Sequence, residues 1–163
     1  MTVARIETPE QFDEARALFR EYAVELSVDL SFQGFDAELA ALERVYGPPG
    51  GAVLLAADET ASGDVAGSTA GCVAVRPAPA AGTGACEMKR LYVRPGYRGR
   101  GLGRRLAEAV VDEGRRLGYR RMVLDTLDEM EHARAVYGSL GFREVPAYYA
   151  NPLGGVHYMA ADL

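Results

Sequence analysis

Residues 86–117, CEMKRLYVRPGYRGRGLGRRLAEAVVDEGRRL, decide the fold. They read as a strand, a tight basic loop and a helix. The strand is Cys86 to Val93, and simple alternation sets Leu91 and Val93 on one side with Met88 and Tyr92 on the other. Pro95 and Gly96 end it. Arg98-Gly99-Arg100-Gly101-Leu102-Gly103 forms the loop and opens a helix. Leu102, Leu106, Ala109, Val110 and Leu117 then recur at the spacing of one helix face. Glycine at that junction lets peptide N–H groups turn outward with no Cβ in the way. A helix N-terminus has unpaired donors and a partial positive charge, so the junction suits an anion.

Charge points the same way. From Met88 to Ala107 there are seven basic residues (Lys89, Arg90, Arg94, Arg98, Arg100, Arg104, Arg105) and no acid. The whole chain has a formal net charge of −5, so the remainder carries −12. Arginine at a helix N-terminus opposes the macrodipole and gains nothing locally. A ligand that needs those guanidinium groups gives them a reason to be there.

With 163 residues, the chain is long enough for one domain with a real core, and a single domain over 1–163 is expected. A hydrophobic fraction of 48% beside 25% charged residues is ordinary for a water-soluble protein. The acidic balance argues against a nucleic-acid partner, because the basic residues are local rather than spread over a face. Cys72 and Cys86 form no CxxC pair and suggest neither a disulfide framework nor a zinc site. His132 and His157 are too far apart in sequence to suggest a ligand set, so no metal is expected. The N-terminal stretch has no apolar segment of signal-peptide type. No apolar run approaches the roughly 20 residues that cross a bilayer. A cytoplasmic protein with no membrane partner follows as an expectation.

Outward from the central stretch, Val3 to Glu7 reads as a strand. Thr8-Pro9-Glu10-Gln11 is a helix start, with Thr8 as cap and Gln11 completing a capping box. Phe12, Ala15, Phe19, Tyr22, Ala23 and Leu26 share its inner face. A second helix is predicted over Asp36 to Val45, and Gly47-Pro48-Pro49-Gly50-Gly51 breaks it. Ala52 to Asp58 and Gly71 to Arg76 read as a hairpin around a polar turn, Thr60 to Gly67. Pro77 to Gly84 is a connector within one sheet. Arg121 to Thr126 is a strand, Glu131 to Leu140 a helix, and Phe142 to Val145 and Val156 to Asp162 are strands, with a loop at Pro146 to Gly155. One helix joins the strands at 86–93 and 121–126, so they should be parallel neighbours. The expected class is mixed α/β, with helices on both faces of the sheet.

Which anion the loop takes can be tested against known patterns. A Walker A loop needs Gly-x4-Gly-Lys-Ser/Thr; Gly96 and Gly101 have the spacing, but Leu102 and Gly103 follow. A dinucleotide fingerprint needs a third glycine where Arg104 stands, although Asp125 lies about where a ribose-binding acid would be. Arg98-x-x-Gly101-x-Gly103 fits better. It resembles the pyrophosphate signature of the GNAT superfamily of N-acyltransferases, whose members bind coenzyme A. Leu91-Tyr92-Val93-Arg94-Pro95 is similar to the central strand of that superfamily and its exit. Tyr137-x3-Gly141-Phe142 is similar to its C-terminal element. Order and spacing agree from Ala85 to about Val145. The strand CEMKRLYV and Tyr148-Tyr149-x-Asn151-Pro152 also resemble a bacterial subgroup whose substrates are generally unassigned.

The resemblance implies a GNAT-like fold, with a mixed, mostly antiparallel sheet of about six to seven strands. It implies an N-acetyltransferase that moves an acetyl group from acetyl-CoA to a primary amine of a small molecule by direct transfer. A homodimer is compatible with it. Cofactor contacts fall on Leu91, Tyr92, Val93, Arg98, Gly99, Arg100, Gly101, Leu102, Gly103 and Arg104. Glu87, six residues before Val93, matches the general-base glutamate, with a structural carboxylate paired to Lys89 as the alternative. By parity Glu87 shares a face with Lys89, Leu91 and Val93. Tyr137 matches the tyrosine that protonates the leaving thiolate, and it also fits a core stripe with Ala133, Val136 and Leu140. Many members carry an asparagine where this chain has Met130, so a polar contact to the cofactor arm is lost or comes from Asp125 or Thr126. Apart from the resemblance, the candidates for the acceptor pocket are Phe32, Phe35, Asp125, Tyr148, Tyr149 and His157, with plain packing as the alternative for the aromatic residues and the histidine. A non-catalytic acyl-CoA sensor, a protein N-acetyltransferase and a nucleotide-binding domain stand as alternatives.

Overall fold

A computed structural model describes residues 1–58 and 69–163, so the polar turn expected over Thr60 to Gly67 lies outside the described residues. The first strand, β1, is Thr2–Arg5, shorter and earlier than Val3 to Glu7. Helix α1 is Pro9–Leu26 and begins as its sequence requires: Thr8 Oγ1 accepts from the Gln11 amide, and Gln11 Oε1 accepts from the Thr8 amide. Phe12, Ala15, Leu18 and Phe19 are its buried residues.

The helix expected over Asp36 to Val45 is instead two, α2 (Phe35–Ala40) and α3 (Leu42–Tyr46). Ala41, at φ −116°, divides them. The break has a tertiary cause. Tyr46 donates to Glu38 Oε1 at 2.9 Å, both side chains being buried. Eight residues of unbroken helix would set them about 12 Å apart along the axis.

The sheet holds β2 (Ala52–Ala57), β3 (Thr69–Pro77), β4 (Ala85–Val93), β5 (Arg121–Leu127), β6 (Arg143–Glu144) and β7 (Val156–Asp162), with β1 at one edge. Its order is β1-β2-β3-β4-β5-β7-β6. The β4–β5 pair is parallel and every other pair antiparallel. Helix α4 (Leu102–Arg116) joins β4 to β5, and α5 (Glu131–Ser139) follows β5. One face of the sheet packs Val73, Val75 and Met88 against Leu106 and Val110 of α4 and Tyr137 of α5. The other packs Val53, Cys72 and Tyr92 against α1 and α3. Cys72 and Cys86 are both buried, and burial pushes the Cys86 thiol up to about 12. Among the described residues no helix is long and apolar enough to cross a membrane.

Two irregularities in β4 shape everything downstream. First, β4 and β5 pair only from Ala85–Glu87 against Arg121–Val123; beyond that their ladder stops. Second, the β3–β4 register shifts between Cys72↔Tyr92 and Ala74↔Lys89, so Arg90 and Leu91 together oppose Val73. Arg90 has a φ of +57°, the left-handed conformation of a bulge residue. The bulge corrects the parity read from sequence. Glu87 and Lys89 lie opposite Arg76 and Ala74, on the face of α1 and α3 together with Tyr92. Met88, Leu91 and Val93 pack on the face of α4. Glu87 and Lys89 therefore do not share a face with Leu91 and Val93, nor does Met88 side with Tyr92. One inserted residue reverses every side chain beyond it.

Candidate active site

The loop after β4 makes a 3-10 turn at Pro95–Tyr97 and then reaches Gly99 and Gly101, both left-handed at φ +75° and +74°. Gly101 caps α4 without any side-chain hydrogen bond, and the first bond into the helix is Arg105 N–H to Gly101 O. The amides from Gly99 to Arg104 have no acceptor among the described residues. A Cβ built at Gly99 or Gly101 would meet nothing within 4 Å. The loop thus presents a run of bare donors to open space.

The charges around it are less uniform than the sequence suggests. Lys89 and Arg90 are buried and turned to acids: Lys89 Nζ lies 3.0 Å from Asp125, and Arg90 grips Glu38. Arg94 pairs with Glu21. Arg98 donates to both oxygens of Glu25 at 2.6 and 2.7 Å and to Val93 O at 2.8 Å. Arg104 is paired with Glu108 and bonded to Ser139. Arg100 is exposed and carries no ion pair among the described residues. Backbone amides, more than guanidinium groups, are what the loop leaves unspent.

Beyond Glu87, where the β4–β5 ladder stops, a gap opens between the two strands. Arg94 N–H bonds Ala70 O of the neighbouring strand, so alternation aims the backbone groups of Leu91 and Val93 away from β3 and into the gap. Met88, Leu91, Leu124, Thr126, Met130 and Tyr137 line it. Tyr137 is buried, yet its hydroxyl makes no hydrogen bond to any described residue. Burial raises its pKa well above the ordinary phenol value, which keeps it protonated. Thr126 Oγ1 is buried and unpartnered.

On the opposite face lies a pocket of about 460 Å³, walled by Phe32, Val45, Pro77 to Ala80, Arg76, Glu87, Tyr148 and Tyr149. Glu87 is its hub. Oε2 accepts from Arg76 at 3.0 and 2.9 Å, Oε1 accepts from the Tyr148 hydroxyl at 2.8 Å, and Lys89 Nζ lies 3.6 Å away. Asp125 accepts from Lys89 and, at 2.9 Å, from Tyr149. Burial would raise the pKa of Asp125, but the Lys89 charge and these hydrogen bonds hold it below the usual carboxylate value. Burial and the adjacent carboxylates push the phenols of Tyr148 and Tyr149 far up.

The structure thus brings Glu87, Phe32, Tyr148 and Tyr149 to one pocket and Leu91, Asp125, Thr126 and Tyr137 to the neighbouring gap. Phe35 is not on either wall; it covers the Arg90 guanidinium at 5.0 Å. Sequence reasoning missed Arg76, Gln33 and the inward turn of Lys89. Arg76 could have been found, since hairpin pairing of β3 with β4 sets it opposite Glu87. Gln33, between the two singled-out phenylalanines, carries no such signal.

A model described as the acetyltransferase (GNAT) family matches residues 13–142. An uncharacterised N-acetyltransferase of Schizosaccharomyces pombe is 43% identical over 163 residues, covering 100% of this chain and 95% of the relative. A GNAT-family acetyltransferase structure from Staphylococcus aureus superposes with a TM-score of 0.74 at 18% identity, covering 99% of each chain. A chain of the NatC complex bound to Gag peptide and CoA superposes with a TM-score of 0.72 at 20% identity, covering 99% of this chain and 98% of that one. Family model, full-length relative and shared fold agree: this chain belongs to the GNAT family of N-acetyltransferases.

Proposed function

We propose that the chain transfers an acetyl group from acetyl-CoA to a primary amine of a small molecule by direct transfer. The observation that supports this reading most is a pair of features flanking the end of β4: bare amides at 99–104 just after it, and a β4–β5 gap beside it that Leu91 and the unbonded Tyr137 line. Coenzyme A fits these residues: a pyrophosphate suits a helix N-terminus with free donors, and an extended arm suits strand edges that have lost their partner. When bound, it supplies the activated acetyl thioester.

The chain's own residues then divide the work. The amides of Gly99 to Arg104 hold phosphate oxygens, and the exposed Arg100 adds charge. The backbone groups of Leu91 pair with the arm, and the Val93 N–H, whose own carbonyl is held by Arg98, polarises the thioester carbonyl. The Thr126 hydroxyl stands in for the amide side chain absent at Met130; Asp125, already engaged by Lys89 and Tyr149, does not. Tyr137 gives its proton to the departing sulfur. Glu87 takes the proton of the amine. Both its oxygens have partners, so the proton reaches it through Tyr148, which accepts from the amine while passing its own proton to Oε1.

The pocket volume, about 460 Å³, lies within the range of small-ligand sites and supports a small acceptor. Calorimetric titration with CoA, followed by thiol release from acetyl-CoA over a panel of primary amines, tests the reading. Heat of binding with amine-dependent thiol release is expected. Binding without release under any amine would favour a sensor, and no binding would end the reading.

A further inference from the structure

We propose that Gln33 selects for a primary amine, its side-chain oxygen receiving the N–H that the nucleophile keeps during transfer. This rests on the reading just given, because it concerns the acceptor of that same site.

The orientation of the Gln33 amide is fixed by groups whose roles admit no choice. The Leu153 N–H can only donate, and it bonds Asn151 Oδ1 at 3.0 Å. Asn151 therefore turns Nδ2 to the Tyr149 oxygen, at 2.8 Å. The Asp125 carboxylate, paired with Lys89, can only accept, and it takes the single proton of Tyr149 at 2.9 Å. With that proton committed, Tyr149 can only accept from Gln33, whose Nε2 lies 3.3 Å away. Gln33 Oε1 consequently points elsewhere. It is buried and has no hydrogen-bond partner.

Its place gives that unused acceptor a meaning. Among the described residues, Gln33 and Lys89 alone line both the β4–β5 gap and the acceptor pocket. The acetyl group has to pass from one to the other at this junction. Lys89 offers only donors there. A buried acceptor without a donor is unfavourable, so a turn of the Gln33 side chain that brings Oε1 to a substrate N–H at the junction gains a bond the free protein lacks.

The transfer forms the N–C bond from the nitrogen lone pair and breaks the C–S bond, its electron pair going to sulfur. One N–H proton leaves toward Tyr148 and Glu87, and sulfur takes the proton of Tyr137. A primary amine still has one N–H, which persists into the amide product and can stay on Gln33 Oε1. A secondary amine or an alcohol has a single proton and loses it, so the Gln33 oxygen goes unbonded. A site built around a substrate N–H rejects analogues that lack it.

The test uses methylamine and dimethylamine, which carry little beyond the nitrogen. Thiol release from acetyl-CoA is measured for wild type, Gln33→Leu and Tyr149→Phe, after CoA binding has been established by calorimetry. Wild type should favour methylamine by about tenfold or more in kcat/KM. Gln33→Leu should bring the ratio toward one while KM for acetyl-CoA stays unchanged. Tyr149→Phe, which frees the amide to turn over, should fall between. Leucine is close to glutamine in size, so a preference set by crowding would survive Gln33→Leu. An unchanged ratio in that variant overturns the inference. Wild type that binds CoA but releases no thiol with methylamine overturns it too, since the contact asks only for the nitrogen. Absence of any CoA heat would instead remove the underlying reading.

Discussion

Arg90 and Glu38, 52 residues apart, form a two-pronged ion pair at 2.9 and 2.7 Å in the interior of the protein. Tyr46 adds a third hydrogen bond to Glu38, and the Tyr22 and Phe35 rings flank the guanidinium. The pair fastens α2 to the bulge of β4, the feature that turns Leu91 and Val93 toward the gap. Glu38→Ala should therefore strand a buried cation and cost about 3–5 kcal/mol. Urea unfolding of wild type and variant measures this. Glu38→Gln should fall between, since it keeps hydrogen bonds and loses charge.

Gly101 sits at φ +74° with open space where a side chain would go. Gly101→Ala should cost about 1–2 kcal/mol of stability from backbone strain alone. Gly101→Asp adds a carboxylate in front of the bare amides, where it competes for the donors a phosphate would use. Its CoA affinity should drop at least tenfold below that of the alanine variant, read by calorimetry on folded protein. Equal affinities would show that the phosphates bind elsewhere.

How much of this was legible beforehand depends on the range of the interaction. The Thr8–Gln11 capping box, the Gly101 junction and the parallel β4–β5 pair follow from local spacing, and they stand as read. The division of α2 from α3 was hidden, because only the Glu38–Tyr46 contact and the distant Arg90 require it. Parity along β4 was misread for the same reason. Nothing in Lys89-Arg90-Leu91 announces a bulge; it is held by a carboxylate 52 residues away and by Val73 across the ladder. Tyr148 and Tyr149 were legible as site candidates by resemblance, but their separate partners, Glu87 and Asp125, emerge only when β5 and the last loop are brought together.

Tyr137 and Tyr148 should be separable by kinetics. Tyr137→Phe removes a hydroxyl bonded to no described residue, so stability and CoA affinity should hardly change while kcat falls by about a hundredfold or more. Tyr148→Phe removes the hydrogen bond to Glu87 Oε1 and the proposed proton route. There kcat/KM for the amine should fall, and the solvent isotope effect should shrink as one moving proton is lost. A Tyr148 that merely positions Glu87 would lower the rate without altering the isotope effect.

His157 supplies a dependence on pH that is independent of catalysis. Its ring lies between Asp128 and Glu144, at 2.5 and 2.7 Å, with Arg134 3.4 Å from Nε2. Hydrogen bonds to Asp128 and then Glu144 raise its pKa above the ordinary 6.5, against burial and the Arg134 charge. A raised folded-state value means that the protonated ring stabilises the fold. That contribution is fully present below the unfolded value of 6.5 and disappears as pH rises through the higher folded value. His157→Gln should therefore have a lower Tm than wild type at about pH 6, and the difference should close by about pH 9. Because the ring links the loop after β5 to β6 on the far side of β7, thiol release by the two proteins should be alike throughout. A Tm difference that is constant over this range would mean that the ring acts through packing, not charge.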